Sequence, residues 1–295
     1  MIYFILPVHK NFSDCVKFIN KTSENLEKYK INFLIVNTFR RNYFHPITSF
    51  KLGTNHKVNI LQGKSRWYWF KSIHNGLKLL AKEVSENDTV ILSNVDVLVP
   101  KNYIENITMT HRHYPGCIIG SQLRNLKNSE VIDHGPKVTE NFFIKSITED
   151  EIEYFSDGNT YGMEFVSGRG MIFQGHHVKD LLQIKSYLAQ HYFSDYLISL
   201  SMVKMGYKNI MTRNIYLFSE EAFGNSNTSY NPINLFFSKK NPQLLPASFT
   251  FFYVYSKIYK GTNLILFTLF YAVYLVDAFK RVMRKKTRKQ VEWVD

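Results

Sequence analysis

The chain has 295 residues, 45% of them hydrophobic and 21% charged, with a formal net charge of +13. That length suits one α/β domain with an appended segment, and the lack of Gly/Ser-, Gln- or Pro-rich tracts excludes a disordered or fibrous chain. Two cysteines, Cys15 and Cys117, are too few for a disulfide framework and are expected to be buried free thiols, while the excess cation points to an anionic partner: nucleic acid, a phosphorylated small molecule or acidic lipid.

Ile2 to Val8 is predicted to be a buried first strand. It is too short for a signal-peptide core and has no basic region before it, so the protein is expected not to be exported. Ser13 to Lys28 follows as a helix, Ile31 to Asn37 as a second strand and Val58 to Leu61 as a short third. Ile73, Leu77 and Leu80 share one helix face, and Thr89 to Ser93 is a strand running into Asn94-Val-Asp96. Asp96 is thereby placed at a strand's C-terminal end, where open α/β sheets bind ligands.

Pro100 suits the first turn of a helix, Cys117 to Leu123 a strand, and Arg124 to Tyr161 a set of hairpins and loops with turns at Asp133-His-Gly-Pro136 and Asp157-Gly158. Phe165 to Phe173 is expected to be a strand whose glycines mark a bulge or a close approach to its backbone, and Ser194 to Met205 a helix with Ile198, Met202 and Met205 on one face. Strands alternating with helices imply βαβ units and a mostly parallel sheet flanked by helices.

The composition shifts near Asn241, dividing the chain into a domain over residues 1–240 and a C-terminal aromatic and basic helical segment over 241–295. Leu244 to Tyr259 is rich in Phe and Tyr, Leu264 to Val276 carries no charge, and Lys280 to Lys289 holds seven Lys or Arg. The uncharged run is shorter than the roughly 20 residues that span a bilayer. It fits a helix lying in the membrane interface with cations on anionic lipid; the alternative is a helix packed on the domain with a solvated basic tail.

Several residues could carry chemistry. Asn94 and Asp96 offer the hard oxygen ligands that Mg²⁺ or Mn²⁺ takes when phosphate oxygens and water complete the shell, although Asn and Asp also begin turns. Ser167-Gly-Arg-Gly170 could bring backbone N–H groups and a guanidinium to a ligand, or be an ordinary bulge. Trp69 and Phe70 could wall a sugar or base pocket, or pack in the core. Asp195 opens a helix, where capping is its plain role. His111, His113, His176 and His177 lack partners at zinc-site spacing and are expected on the surface or in loops.

Taken in order, these patches resemble the family 2 glycosyltransferases of GT-A (Rossmann-like) fold, and within them a rhamnosyltransferase-like branch of bacterial surface-polysaccharide enzymes. The resemblance runs through Leu6-Pro-Val-His9, Phe33-Leu-Ile-Val-Asn37, Trp69-Phe70 to Asn75-Gly76, Asn94-Val-Asp96, Asp133-His-Gly135, Ser167 to Gly170, His191-Tyr-Phe-Ser-Asp-Tyr196 and Met205-Gly-Tyr-Lys208. Phe236-Phe-Ser-Lys-Lys-Asn241 and Leu245-Pro-Ala247 extend it to about residue 255.

That resemblance implies that Asp195 is the general base, that Asp96 holds a divalent cation on the diphosphate with Asn94 assisting, and that Pro7, Val8 and Asn37 surround the nucleotide base. Trp69 and Asn75 would lie on the donor side, and Ser167, Gly168, Arg169 and Gly170 on the acceptor or diphosphate side. Asn37 stands where the family commonly has an acidic residue, and Ser194 precedes Asp195 where Glu or Asp is frequent.

The implied activity is an inverting transfer from a nucleotide-sugar donor to a lipid-linked or oligosaccharide acceptor in cell-surface polysaccharide synthesis. A basic tail on an anionic membrane surface would place it, cytoplasmic and peripheral, on the inner face of the plasma membrane. A non-catalytic membrane-surface or polysaccharide-binding protein on the same scaffold is the alternative. Nucleic acid is not an expected partner, because seven cations sit in one block beside an apolar run rather than on a recognisable nucleic-acid module.

Overall fold

The computed structural model describes residues 1–9, 12–38, 50–139, 144–185, 189–220 and 245–265, with 267, 268, 271, 272 and 276. Phe236 to Asn241 and the basic block Lys280 to Lys289 lie outside the described residues.

β1 (Ile2–Val8) and β2 (Ile31–Asn37) are buried at every position, as the uninterrupted apolar runs require of strands covered on both faces. They pair in parallel, β3 (His56–Gln62) extends the sheet beyond β2, and β4 (Thr89–Leu92) pairs in parallel with β1 on its other side. Successive side chains of β1 enter opposite layers. Phe4, Leu6 and Val8 join the core under α1 (Phe12–Asn25), and Tyr3 and Ile5 join the core under α2 (Trp69–Leu80). Each large apolar side chain fully buried in these layers contributes roughly 1.5–3 kcal/mol.

α2 packs closely because Gly76 faces the sheet: a Cβ there would lie 2.9 Å from Ile5 Cγ2 and 3.2 Å from Val36 Cγ2. α3 (Tyr103–His113) covers the α1 face, with Tyr103 and Ile107 buried; Pro100 precedes this helix, its carbonyl accepting from the Tyr103 amide, rather than forming its first turn.

The second half is mixed. After β5 (Ile118–Asn125) come the short hairpin strands β6 (Val131–Asp133), β7 (Pro136–Val138) and β8 (Ile144–Ser146), then β9 (Thr160–Met163), β10 (Met171–Gln174) and β11 (Asn209–Ser219). The main sheet runs β3-β2-β1-β4-β10-β5-β11-β9, with β6 on β5. It is thus parallel through its first four strands, and β10 enters antiparallel between β4 and β5. The expected strand over Phe165 to Phe173 is confined to β10; residues 165–170 form a turning loop, and Gly170 takes φ +77°. This is the α/β sheet flanked by helices of the GT-A type.

α4 (Val178–Leu181) and α5 (Ser194–Lys204) lie on the α2 side. Ile198 and Met202 of α5 are buried, whereas Met205, one residue beyond its end, is 43% exposed and leaves the expected stripe. α6 (Leu245–Tyr259) packs Phe251, Phe252 and Tyr255 on Phe165, Leu197 and Leu200, and Phe267 and Tyr271 join the same cluster. Leu264, Ile265 and Val276 are exposed. Among the described residues no helix is long and apolar enough to cross a membrane.

Candidate active site

β1, β2 and β4 end side by side, and residues 93–96 beyond β4 lie with the 165–170 loop, which meets the start of α5. Ser93, just past β4, donates its amide to the Ile5 carbonyl at 3.2 Å, which aims Asn94-Val-Asp96 off the sheet edge. The Trp69 indole Nε1–H donates to Asn94 Oδ1 at 3.2 Å. Gly168 lies against the same ring: a Cβ there would be 2.5 Å from Trp69 Cζ2 and 3.0 Å from Asp195 Cβ. Its amide donates to Asp195 Oδ2 at 2.8 Å. Trp69, Asn94, Gly168 and Asp195 therefore form one contiguous group.

Burial pushes the Asp195 carboxyl above its ordinary value, against opposing hydrogen bonds from the Gly168, Tyr196 and Asp195 amides and the positive charge of Arg169. The neighbouring Arg169 guanidinium is 14% exposed and pairs with Asp96, 55% exposed, at 3.2 Å. Arg169 also draws down Asp133, a buried carboxyl raised by burial that accepts from Ser146 Oγ at 2.6 Å and the Gly135 amide at 2.9 Å. One cation thus faces three carboxylates.

At the end where the resemblance implies a nucleotide base, the structure leaves the expected side chains inside the fold. Pro7 and Val8 are buried inside β1, and the Val8 carbonyl accepts from the Thr38 amide at 2.9 Å, so their side chains present no surface to a ligand. Asn37 is buried as well, its amide donating to Gln62 Oε1 at 3.2 Å. What is accessible there is His9, sharing a 2.6 Å hydrogen bond with Thr38 Oγ1, and a row of rings: His9 and Tyr68 lie 6.1 and 6.3 Å from His191. Asn75 is not brought to this group; its amide donates to the Lys71 carbonyl along its own helix. Ser167 precedes Gly168, and Gly170 closes the turn with its amide fixed on the Leu92 carbonyl at 3.0 Å.

Asp133 and His191 stood in motifs without a role of their own. The signals for them were the Asp-x-Gly turn, where Gly135 takes φ +112°, and an aromatic run directly before Asp195.

A cavity of about 450 Å³ opens beside Asp96 and Arg169, walled by Lys17, Lys21, Phe18 and Phe218. No cluster of three or more His, Cys, Asp or Glu able to hold a metal is present among the described residues. Asp96, exposed and paired with Arg169, and Asn94, whose Oδ1 accepts from Trp69, are oxygen donors of the type that Mg²⁺ or Mn²⁺ takes when phosphate and water supply the other ligands. His111, His113, His176 and His177 lie elsewhere, and contrary to expectation His111 and His177 are buried. The Gln174 amide donates to His177 Nδ1 at 3.0 Å, and His177 Nε2 lies 3.1 Å from the Gly116 carbonyl. Cys15 and Cys117 are buried and free.

No protein-family model matches the chain, and no curated protein sequence does. Among solved structures it is similar to GalNAc-T7 crystallised with UDP, GalNAc and Mn²⁺, at TM-score 0.56 and 11% identity, over 74% of this chain and 43% of that one. Staphylococcus aureus TarS, residues 1–349 in complex with UDP-GlcNAc, aligns at TM-score 0.47 and 12% identity over 76% of this chain and 59% of that one. The chain spans less than half of the GalNAc-T7 chain, and at these identities the likeness is one of fold.

Proposed function

We propose that the protein is a metal-dependent, inverting glycosyltransferase that moves a hexosyl or deoxyhexosyl group from a nucleotide diphosphate to a glycan or lipid-linked acceptor at the cytoplasmic face of the plasma membrane. The rhamnosyltransferase-like branch is the subgroup its motifs suggest. The observation that carries this reading is the group just described: a half-buried Asp195 held by the Gly168 amide, with Arg169 and Asp96 alongside.

Asp195 takes the proton from the acceptor hydroxyl as that oxygen bonds to the anomeric carbon. The bond from that carbon to the diphosphate oxygen breaks on the opposite side, which inverts the centre. The departing negative charge meets Arg169, and Asp96 with Asn94 would hold a divalent cation there; when bound, the ion supplies charge neutralisation on the leaving group. Trp69 anchors the Asn94 side chain and packs against Gly168, whose amide holds Asp195. The exposed Leu264, Ile265 and Val276 together with the basic block support attachment to an anionic lipid surface.

The test is a thermal-shift screen against UDP-, dTDP- and GDP-sugars with and without Mn²⁺, followed by transfer assays of Asp195→Asn. The variant should keep the donor-induced shift and lose turnover by about 10²- to 10⁴-fold. Near-normal turnover would remove Asp195 as the base, and silence across the donor panel in folded protein would favour the non-catalytic alternative.

A further inference from the structure

Phe193, two residues before Asp195, sits at φ +64° and ψ −4°. Glycine adopts this left-handed conformation freely; a bulky aromatic residue holds it only where its surroundings impose it, and such residues concentrate at functional sites. Ser129 is the other non-glycine with positive φ among the described residues, and it occupies an exposed hairpin turn. The turn at Phe193 launches α5: its carbonyl accepts from the Leu197 amide at 2.9 Å, and the Ser194 hydroxyl donates back to the His191 carbonyl at 2.6 Å.

What imposes the turn is α6. The Phe193 ring lies 5.4 Å from Phe251 and 6.1 Å from Phe252. Phe251 is fully buried and also meets Phe165 at 5.2 Å and Tyr196 at 5.7 Å. Phe165 begins the loop that delivers the Gly168 amide, while Phe193 and Tyr196 bracket Asp195. One side chain therefore touches both chain segments whose backbone and carboxylate meet in the 2.8 Å hydrogen bond between Gly168 and Asp195. The same helix is fastened to the loop's approach by the Tyr255 hydroxyl, 2.9 Å from both Glu164 carboxylate oxygens, and by the Tyr259 hydroxyl donating to the Glu164 carbonyl at 2.8 Å.

We propose that Phe251 of the C-terminal helix, acting through Phe193, is a positioning residue that holds Asp195 in register with the Gly168 amide for proton abstraction. This rests on the reading of Asp195 as the base. Neither phenylalanine touches the reacting atoms; they fix the angle at which α5 presents its carboxylate. Displacing such a group by about 1 Å is enough to lower turnover by about 10²-fold.

The experiment compares Phe193→Gly, Phe193→Tyr, Phe251→Leu and Asp195→Asn in the full chain, measuring kcat, donor KM, thermal melting and the donor-induced melting shift. Glycine accepts the left-handed turn but removes the ring, leucine keeps most of the volume but not the ring contacts, and tyrosine keeps the ring at a half-buried position. Phe193→Gly and Phe251→Leu should each lose at least about tenfold in kcat with donor KM and the donor shift retained, and Phe193→Tyr should recover most of the rate. Should Phe193→Gly fail to fold, Phe251→Leu carries the same comparison. Unchanged kcat in the folded variants beside an inactive Asp195→Asn overturns this inference alone, as does a rise in donor KM with kcat intact. An active Asp195→Asn overturns the reading beneath it.

Discussion

Gly168→Ala puts one methyl group into a crowded point of the site. Its Cβ would sit 2.5 Å from Trp69 Cζ2, 2.9 Å from Trp69 Cη2 and 3.0 Å from Asp195 Cβ. Ordinary carbon contacts begin near 3.5 Å, so the indole must move by about 1 Å and the carboxylate by about half that. The stability cost expected of such overpacking is about 1–3 kcal/mol. The larger effect falls on turnover, because a shift of about 1 Å in a reacting group costs about 10²-fold. Trp69 cannot retreat without giving up its hydrogen bond to Asn94. The control is Gly162→Ala, whose new methyl would find Phe155 Cζ at 3.7 Å, an ordinary contact. Steady-state transfer rates and melting curves of both variants decide the matter. If Gly168→Ala turns over like Gly162→Ala, Trp69, Gly168 and Asp195 do not form the working site.

Asp96→Ala should weaken donor binding only when Mn²⁺ is present, read as a smaller metal-dependent thermal shift; a loss equal with and without metal would assign Asp96 to holding Arg169 instead. Burial lowers the His111 and His177 pKa values to about 4, with the neighbouring histidines adding to the effect. Both stay neutral in the fold while the unfolded chain protonates them near 6.5, so their stabilisation is complete above about pH 6.5 and lost as pH falls toward 4. This amounts to up to about 3 kcal/mol for each. Melting temperature should therefore drop across that window, and His177→Gln should flatten the drop. Removing residues 277–295 should abolish co-sedimentation with anionic vesicles and leave the melting temperature nearly unchanged, since α6 and its packed partners remain; retained vesicle binding would place the membrane contact elsewhere.

Local pattern made much of this molecule legible. Ile2 to Val8 and Ile31 to Asn37 are uninterrupted apolar runs, and a strand buried on both faces has no other use for them. The stripe of Ile73, Leu77 and Leu80 makes a helix that buries those three residues, and Asn94-Val-Asp96 follows a strand end as its position implied. Asp195 opens α5, and both cysteines are buried.

Contacts between distant segments were not legible, because no local period encodes them. The Arg169–Asp96 pair joins residues 73 apart, and Trp69 at the start of α2 meets Asn94 and Gly168 from two separate loops. Pairing also settled the 165–173 segment: β10 must turn back between β4 and β5, and Gly170 with φ +77° is where the chain turns. The expectation of surface or loop positions failed for His111 and His177, since spacing along the chain does not show the partners that a histidine such as His177 finds for its two hydrogen bonds inside the fold. By itself the sequence determined the layered α/β architecture, which follows from periodicity, and it supplied the carboxylates and the arginine for which we propose roles in donor binding and proton abstraction. Only the tertiary structure decided which of those residues meet, and that the aromatic helix after residue 244 packs behind the α5 start, because those relations depend on where loops close in space.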